Sequence, residues 1–253
     1  VSAASIPGLP FVYTAVLRGR PLTYRVVVSM RARSWRLSIH PHTGLSVVLP
    51  ARSRLDLDAL LDAHAEWILR ALQRAAREPA PRQHPLADAS ALPYLGTVLR
   101  LRIDPARDGA PRADWEQGTL GVGALGPRRL AQAVEAWYRR RADDVFPERL
   151  DVVNARLGGL RYGRVTVRDQ RTRWGSCSAR GNLAFNWRLM MAPLAILDSV
   201  VAHELTHLID PSHAPSFWRR LAAVDPAYDA HRRWLRRYGS WLSLGAEPPP
   251  ALP

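Results

Sequence analysis

His203-Glu204-Leu205-Thr206-His207 sets two imidazoles four residues apart, with a carboxylate directly after the first. On a helix, positions i and i+4 share a face, so both rings can reach one ion. Glu204 falls about 100° around the helix from His203. It is thereby kept off the ion but within reach of a water beside it, the H-E-x-x-H arrangement of metal-assisted hydrolysis. A shuffled chain with eight histidines and seven glutamates shows the pattern roughly once in 150 arrangements. The bland alternative requires two packing histidines and a buried acid together.

A catalytic site needs a third protein ligand and an open fourth position. His213 stands six residues beyond His207, and Asp210-Pro211 between them should end the helix, because a residue before proline is pushed out of the α region. His213 is then either the third ligand or a surface histidine in a loop. The spacing is that of the metzincins, but Asp210 occupies their glycine position and no Met follows for a Met-turn. The only later Glu is Glu247, near the C-terminus, so a two-His-one-Glu set has little support. Three neutral imidazoles on Zn2+ would leave the ion its full charge and bring a bound water to a pKa of about 7. Glu204 is the expected general base, passing the proton to the leaving nitrogen.

The elements that must position these groups follow from periodicity. Residues 11–50 read as β, with runs at Val26–Val28, Trp35–Ile39 and Leu45–Leu49 and a turn at His42-Thr43-Gly44. One helix should follow from an N-cap at Ser53 to about Arg77, with Leu57, Leu60, Leu61, His64, Trp67, Ile68 and Leu72 at helical spacing. Further β runs are expected near Thr97–Ile103, Trp115–Val122, Val165–Val167 and Leu183–Trp187. Helices are expected over Arg128–Phe146, from Pro193 to about Ile209, Ser216–Val224 and Ala227–Tyr238. No internal repeat is visible. The expected fold class is α+β: a β-rich region with one helix over 1–78, a proline-rich linker over 79–93, a zincin-like catalytic domain over 94–245 containing the H-E-x-x-H helix, and a disordered tail over 246–253.

From Arg164 to Leu235 the sequence resembles the YgjP-like metal-dependent hydrolases, relatives of the SprT and WLM zinc peptidases. The resemblance rests on Arg173-Trp174-Gly175-Ser176-Cys177-Ser178, Asn186, Leu189, Pro193, the His203–His207 pattern, His213, Phe217-Trp218 and Pro226-Ala227-Tyr228. It extends more weakly to the β run before Pro50 and to Trp67-Ile68. It implies a metallopeptidase-like domain with ligands at His203, His207 and His213 and the acid at Glu204. Thr206 departs from a frequent family Cys, outside the ligand set.

Other residues carry two readings each. Cys177 is a fourth ligand closing a structural zinc site, or a small residue in a tight turn. Trp174 packs beneath the site or touches substrate. Tyr228 and His231 are oxyanion donors or packing residues. Asp198 and Asp210 are candidate partners of the ligand imidazoles. Leu183–Trp187 is a strand that pairs with an extended peptide, or an ordinary core strand.

Composition bounds the setting. All 36 basic residues are Arg, and the net charge is +14. Biased codon usage accounts for the absence of Lys, while the field itself favours polyanions and acidic partners. Arg232, Arg233, Arg236 and Arg237 form a helical cluster that reads as a solvated face or as a nucleic-acid surface. The H-E-x-x-H pattern and the resemblance imply a peptide or protein substrate, and the arginines make nucleic acid a further candidate partner. The absence of a long apolar run argues against a membrane span, and the first ten residues lack the pattern of a signal peptide. The sequence starts at Val1, so an upstream piece is expected to be missing. A lone Cys177 fits a reducing compartment, with cytoplasm expected.

Overall fold

The computed structural model describes residues 10–30, 32–40, 44–53, 55–77, 81–170 and 172–252. The chain is α+β and divides into two compact units, Val1–Ala80 and Pro81–Pro253.

In the first unit, β1 (Pro10–Leu17) and β2 (Arg20–Ser29) form an antiparallel hairpin. Its loop, Arg18-Gly19, has two positive φ angles, 49° and 76°. Such two-residue loops follow the natural twist of the strands they join. With β3 (Arg36–His40) and β4 (Gly44–Pro50), the sheet order is β1-β2-β4-β3, β2 lying parallel to β4. Period-two alternation buries Leu22, Tyr24 and Val26 on β2 and Leu45, Val47 and Leu49 on β4. They form one core with Leu60, Leu61, Ala65 and Ile68 of the following helices. Apart from Gly44, the turn expected at 42–44 lies outside the described residues.

The single helix expected after Ser53 is two: α1 (Leu57–Ala63) and α2 (Ala65–Arg77). Asp56, not Ser53, is the N-cap, its carboxylate accepting from the amides of Asp58 and Ala59 at 3.0 and 3.2 Å. The break falls at His64, whose Nδ1 lies 2.9 Å from the Leu60 carbonyl, a side-chain bond that competes with continuation of the helix.

The second unit opens with the same plan. β5 (Ala91–Tyr94) and β6 (Thr97–Asp104) turn on Leu95-Gly96, again with two positive φ angles, 47° and 93°. With β7 (Arg112–Asp114) and β8 (Thr119–Gly123), the order is β5-β6-β8-β7, β6 lying parallel to β8. Even the register corresponds: Tyr24 faces Leu45 and Val26 faces Val47 in one sheet, as Leu101 faces Leu120 and Ile103 faces Val122 in the other. A repeat invisible in the sequence is thus present in the topology.

Three sequence boundaries move. β5 begins inside the expected linker, and Pro93 is tolerated because β5 is an edge strand. β8 starts at Thr119 because Asp114 caps a turn, accepting from the amides of Glu116 and Gln117. The helix expected to stop at Phe146 is α3 (Pro127–Arg156) and continues through Pro147. Proline at 147 has no N–H to give the carbonyl of Asp143, and Asp143 is an exposed residue.

α3 supports the rest. A third sheet of order β10-β11-β9 contains β9 (Val165–Arg168), β10 (Gly175–Cys177) and β11 (Leu183–Asn186). Phe185 of β11 stacks on Phe146 of α3 at 4.7 Å. A 3-10 turn over Trp187–Met191 leads to α4 (Leu194–Thr206), then α5 (Pro215–Val224) and α6 (Tyr228–Tyr238). Arg149 grips Asp198 through two hydrogen bonds, 2.8 and 2.7 Å, tying α3 to α4. The segment 247–252, expected to be disordered, instead lies against this core. Leu252 packs there, and the Pro250 carbonyl accepts from Trp234 Nε1 at 3.2 Å. Among the described residues no helix is long and apolar enough to cross a membrane.

Candidate metal centre

α4 carries His203 and Glu204 in its last turn, and His207 is its C-cap. The helix stops at Thr206, slightly short of the expected Ile209, and the chain turns through Asp210-Pro211 to bring His213 back. One ring nitrogen from each of His203, His207 and His213 lies within 4.8 Å of the other two. Nε2 of His203 and Nε2 of His213 are 3.2 Å apart. Two imidazoles on one tetrahedral zinc, with Zn–N of about 2.0–2.1 Å, would stand about 3.3 Å apart, so these residues fit such an ion.

Phe217 of α5, fully buried, packs against all three imidazoles, with ring centroids at 4.9, 4.7 and 4.8 Å. In the sequence it had no role beyond its place in the Phe217-Trp218 pair of the resemblance. Asp210 orders the loop. Its carbonyl faces His207 Nδ1 at 3.2 Å, which leaves Nε2 free to point at the other rings. Its carboxylate accepts from the Ser212 amide and from the hydroxyls of Ser212 and Ser216. These bonds hold the Asp210 carboxyl below its ordinary range. Trp218 Nε1 donates to the His213 carbonyl at 2.9 Å.

Glu204 is buried, and its side chain lies against β10, the edge strand beside α4. A Cβ on Gly175 would sit 2.7 Å from the Glu204 Cγ, so the glycine of the Trp-Gly-Ser-Cys run is the space the acid occupies. Burial pushes the Glu204 carboxyl up to about 7, against the opposing charge of Arg173 and a hydrogen bond from the Cys177 backbone. Burial, then the neighbouring His207, His213 and Arg232, take His203 down to about 4, and burial also lowers His207. Both imidazoles are therefore neutral near pH 7, the protonation state in which a histidine can bind a metal.

With three nitrogen donors converging beside a buried acid, the profile of the family described as "YgjP-like, metallopeptidase domain" is found to match residues 33–238. The chain belongs to the YgjP-like metallopeptidase-domain family. No curated protein and no solved structure matches it. Membership makes this YgjP-like chain a metal-dependent hydrolase of the peptidase kind, acting with a divalent metal that the three histidines could hold.

The other candidates separate. Cys177 stands outside the His group, its Sγ directed at the Ser178 carbonyl, and burial raises its thiol pKa, with the nearby Glu204 adding to the rise. Asp198 is engaged with Arg149 and not with a ligand imidazole. Leu183–Asn186 cannot accept a peptide, because β11 is the central strand, paired on both edges. Trp174, Tyr228 and His231 line a cavity next to His203 and Glu204. His231 Nδ1 meets Asp225 at 3.0 Å, and Tyr228 stacks on Trp218. Of the α6 arginines, Arg232 and Arg233 share Asp229, and Arg237 lies over the Tyr238 ring.

Proposed function

We propose that this YgjP-like chain is a zinc peptidase with ligands His203, His207 and His213 and with Glu204 as general base. The observation that carries the reading is the buried Glu204 carboxylate beside three convergent imidazoles, one of which, His213, is exposed and leaves the centre approachable. A zinc ion there supplies Lewis acidity and makes a water acidic enough to deprotonate near neutral pH. Glu204 would take that proton as the water oxygen attacks the carbonyl carbon. As the C–N bond breaks, Glu204 returns the proton to the departing nitrogen. β10 is at its sheet edge, and the bonds from Asn186 to Trp174 and from Ser178 to Asn182 turn the Gly175 backbone away from β11. That edge, rather than Leu183–Trp187, is where an extended peptide would align.

Glu204→Gln should retain one zinc per chain by atomic absorption while peptide hydrolysis falls by about 10²–10⁴-fold. Cys177→Ala should keep its zinc as well. Hydrolysis surviving Glu204→Gln, or zinc lost from Cys177→Ala, would refute the open catalytic site and favour a closed structural one.

A further inference from the structure

A cavity of about 280 Å³ opens beside His203 and Glu204. Its walls are apolar, formed by Trp174, Ile196, Trp218, Leu221 and Leu235. The volume suits one large side chain rather than a whole drug-sized ligand. Its charged lining has a definite sign. Arg173 and Arg232 both border it, whereas Glu204, the one acid among the described residues of the lining, is already assigned to the chemistry. Asp225, at the end of α5, and Asp229 of α6 are spent on His231 and on the pair Arg232–Arg233. The Arg232 guanidinium also lies over the Trp218 ring at 5.1 Å. Arg173 differs: it is exposed and has no ion pair or hydrogen bond among the described residues, yet its field reaches Glu204. A cation with no ion pair or hydrogen bond among the described residues, bordering an apolar pocket one residue from its wall Trp174 and two from the β10 edge, is placed to meet an anion attached to an apolar group. A substrate amino group or a basic side chain would instead be repelled there.

We infer that the cavity takes the side chain of a large apolar residue and that Arg173 binds the α-carboxylate of that same residue, so the substrates are peptides ending in a bulky hydrophobic amino acid. This rests on the proposed peptidase reading and names its substrate class. The bond cleaved is the last peptide bond, and the products are the shortened peptide and a free hydrophobic amino acid. Arg173 recognises substrate and takes no proton.

Binding can be read apart from turnover by calorimetry on zinc-loaded Glu204→Gln protein. The ligands are Nα-acetyl-Ala-Phe, its C-terminal amide, Nα-acetyl-Ala-Ala and Nα-acetyl-Ala-Phe-Glu amide. The free acid of the Phe peptide should bind at least roughly tenfold more tightly than the other three. Adding Arg173→Gln should bring the acid-to-amide ratio to about one, and adding Leu235→Trp, which fills the cavity, should remove the preference for Phe over Ala. Equal binding of acid and amide, an equal loss of both in Arg173→Gln, or no binding of any peptide overturns the inference. The equal loss would mark Arg173 as a residue that only positions Glu204. Tight binding of the Phe-Glu amide would place the anion on an internal acidic residue and overturn the C-terminal assignment. The parent protein, incubated with the same Phe peptide, tests the underlying reading separately: intact binding without hydrolysis sinks the peptidase proposal and leaves the pocket assignment standing.

Discussion

In the first unit a hairpin turning on Arg18-Gly19 delivers β2, which pairs in parallel with β4. In the second, a hairpin turning on Leu95-Gly96 delivers β6, which pairs in parallel with β8. Both sheets place their hairpin strand on one edge and the strand from the crossing loop on the other. Both hand the chain to helices. There they part. The first unit's helices end at Arg77, and among its described residues no group of His, Cys, Asp or Glu could hold a metal. In the second, α3 runs for 30 residues and gives the third sheet and α4 a surface to pack on. One sheet plan is therefore followed by different additions, and the three convergent histidines lie in what is added after α3.

Core deletions should break the two regions separately. Phe185→Ala, which removes the ring stacked on Phe146, should cost about 3–5 kcal/mol and lower zinc occupancy. Ile68→Ala, in the core of the first unit, should cost about 2–5 kcal/mol with zinc content intact. Denaturant melts with metal analysis read both. Loss of zinc from Ile68→Ala would show that the first unit is part of the centre's support.

The buried acid should mark the second region by its pH dependence. In metal-free protein the Glu204 pKa is raised from 4.5 to about 7, so its contribution is fully present below pH 4.5 and lost as pH rises through 7. Glu204→Gln removes that loss. At pH 8, with chelator present, the variant should be more stable than the parent by up to about 3 kcal/mol, and the advantage should vanish toward pH 4.5. His203 acts in the opposite sense in both proteins, its contribution being lost as pH falls from 6.5 to about 4. Urea titrations at pH 5 and 8 give the comparison, and an equal difference at both would contradict the burial of the acid.

Gly175→Ala should lower hydrolysis by about 10–100-fold with zinc retained, because the new methyl displaces the Glu204 side chain. Steady-state kinetics with metal analysis would expose unaltered turnover, which would mean that the acid has room to shift. Smallest and most alike should be the two hairpin glycines. Gly19→Ala and Gly96→Ala each force an alanine into positive φ and should cost about 1–2 kcal/mol. A cost confined to one of them would break the equivalence of the two sheets.

The sequence by itself determined the elements whose pattern is local. The helical spacing of His203 and His207, the alternation of β2 and β4 and the helices α5 and α6 all follow from side-chain periodicity, which short-range backbone geometry enforces. Spacing also singled out His203, His207 and Glu204, and left His213 as either a third ligand or a loop histidine. Tertiary structure decided what depends on neighbours distant in the chain. β10 is three residues, Gly-Ser-Cys, with no β pattern of its own, and it exists only because β11 pairs with it. α3 passes Pro147 at an exposed stretch of the helix, and the proline-rich C-terminal segment is held by Trp234. Phe217 beneath the imidazoles and Gly175 against the acid gain their meaning from contact, which no periodicity encodes. The order of the sheets and the convergence of His213 on His203 are set by packing over long sequence separations, where the burial of many side chains together outweighs any local preference.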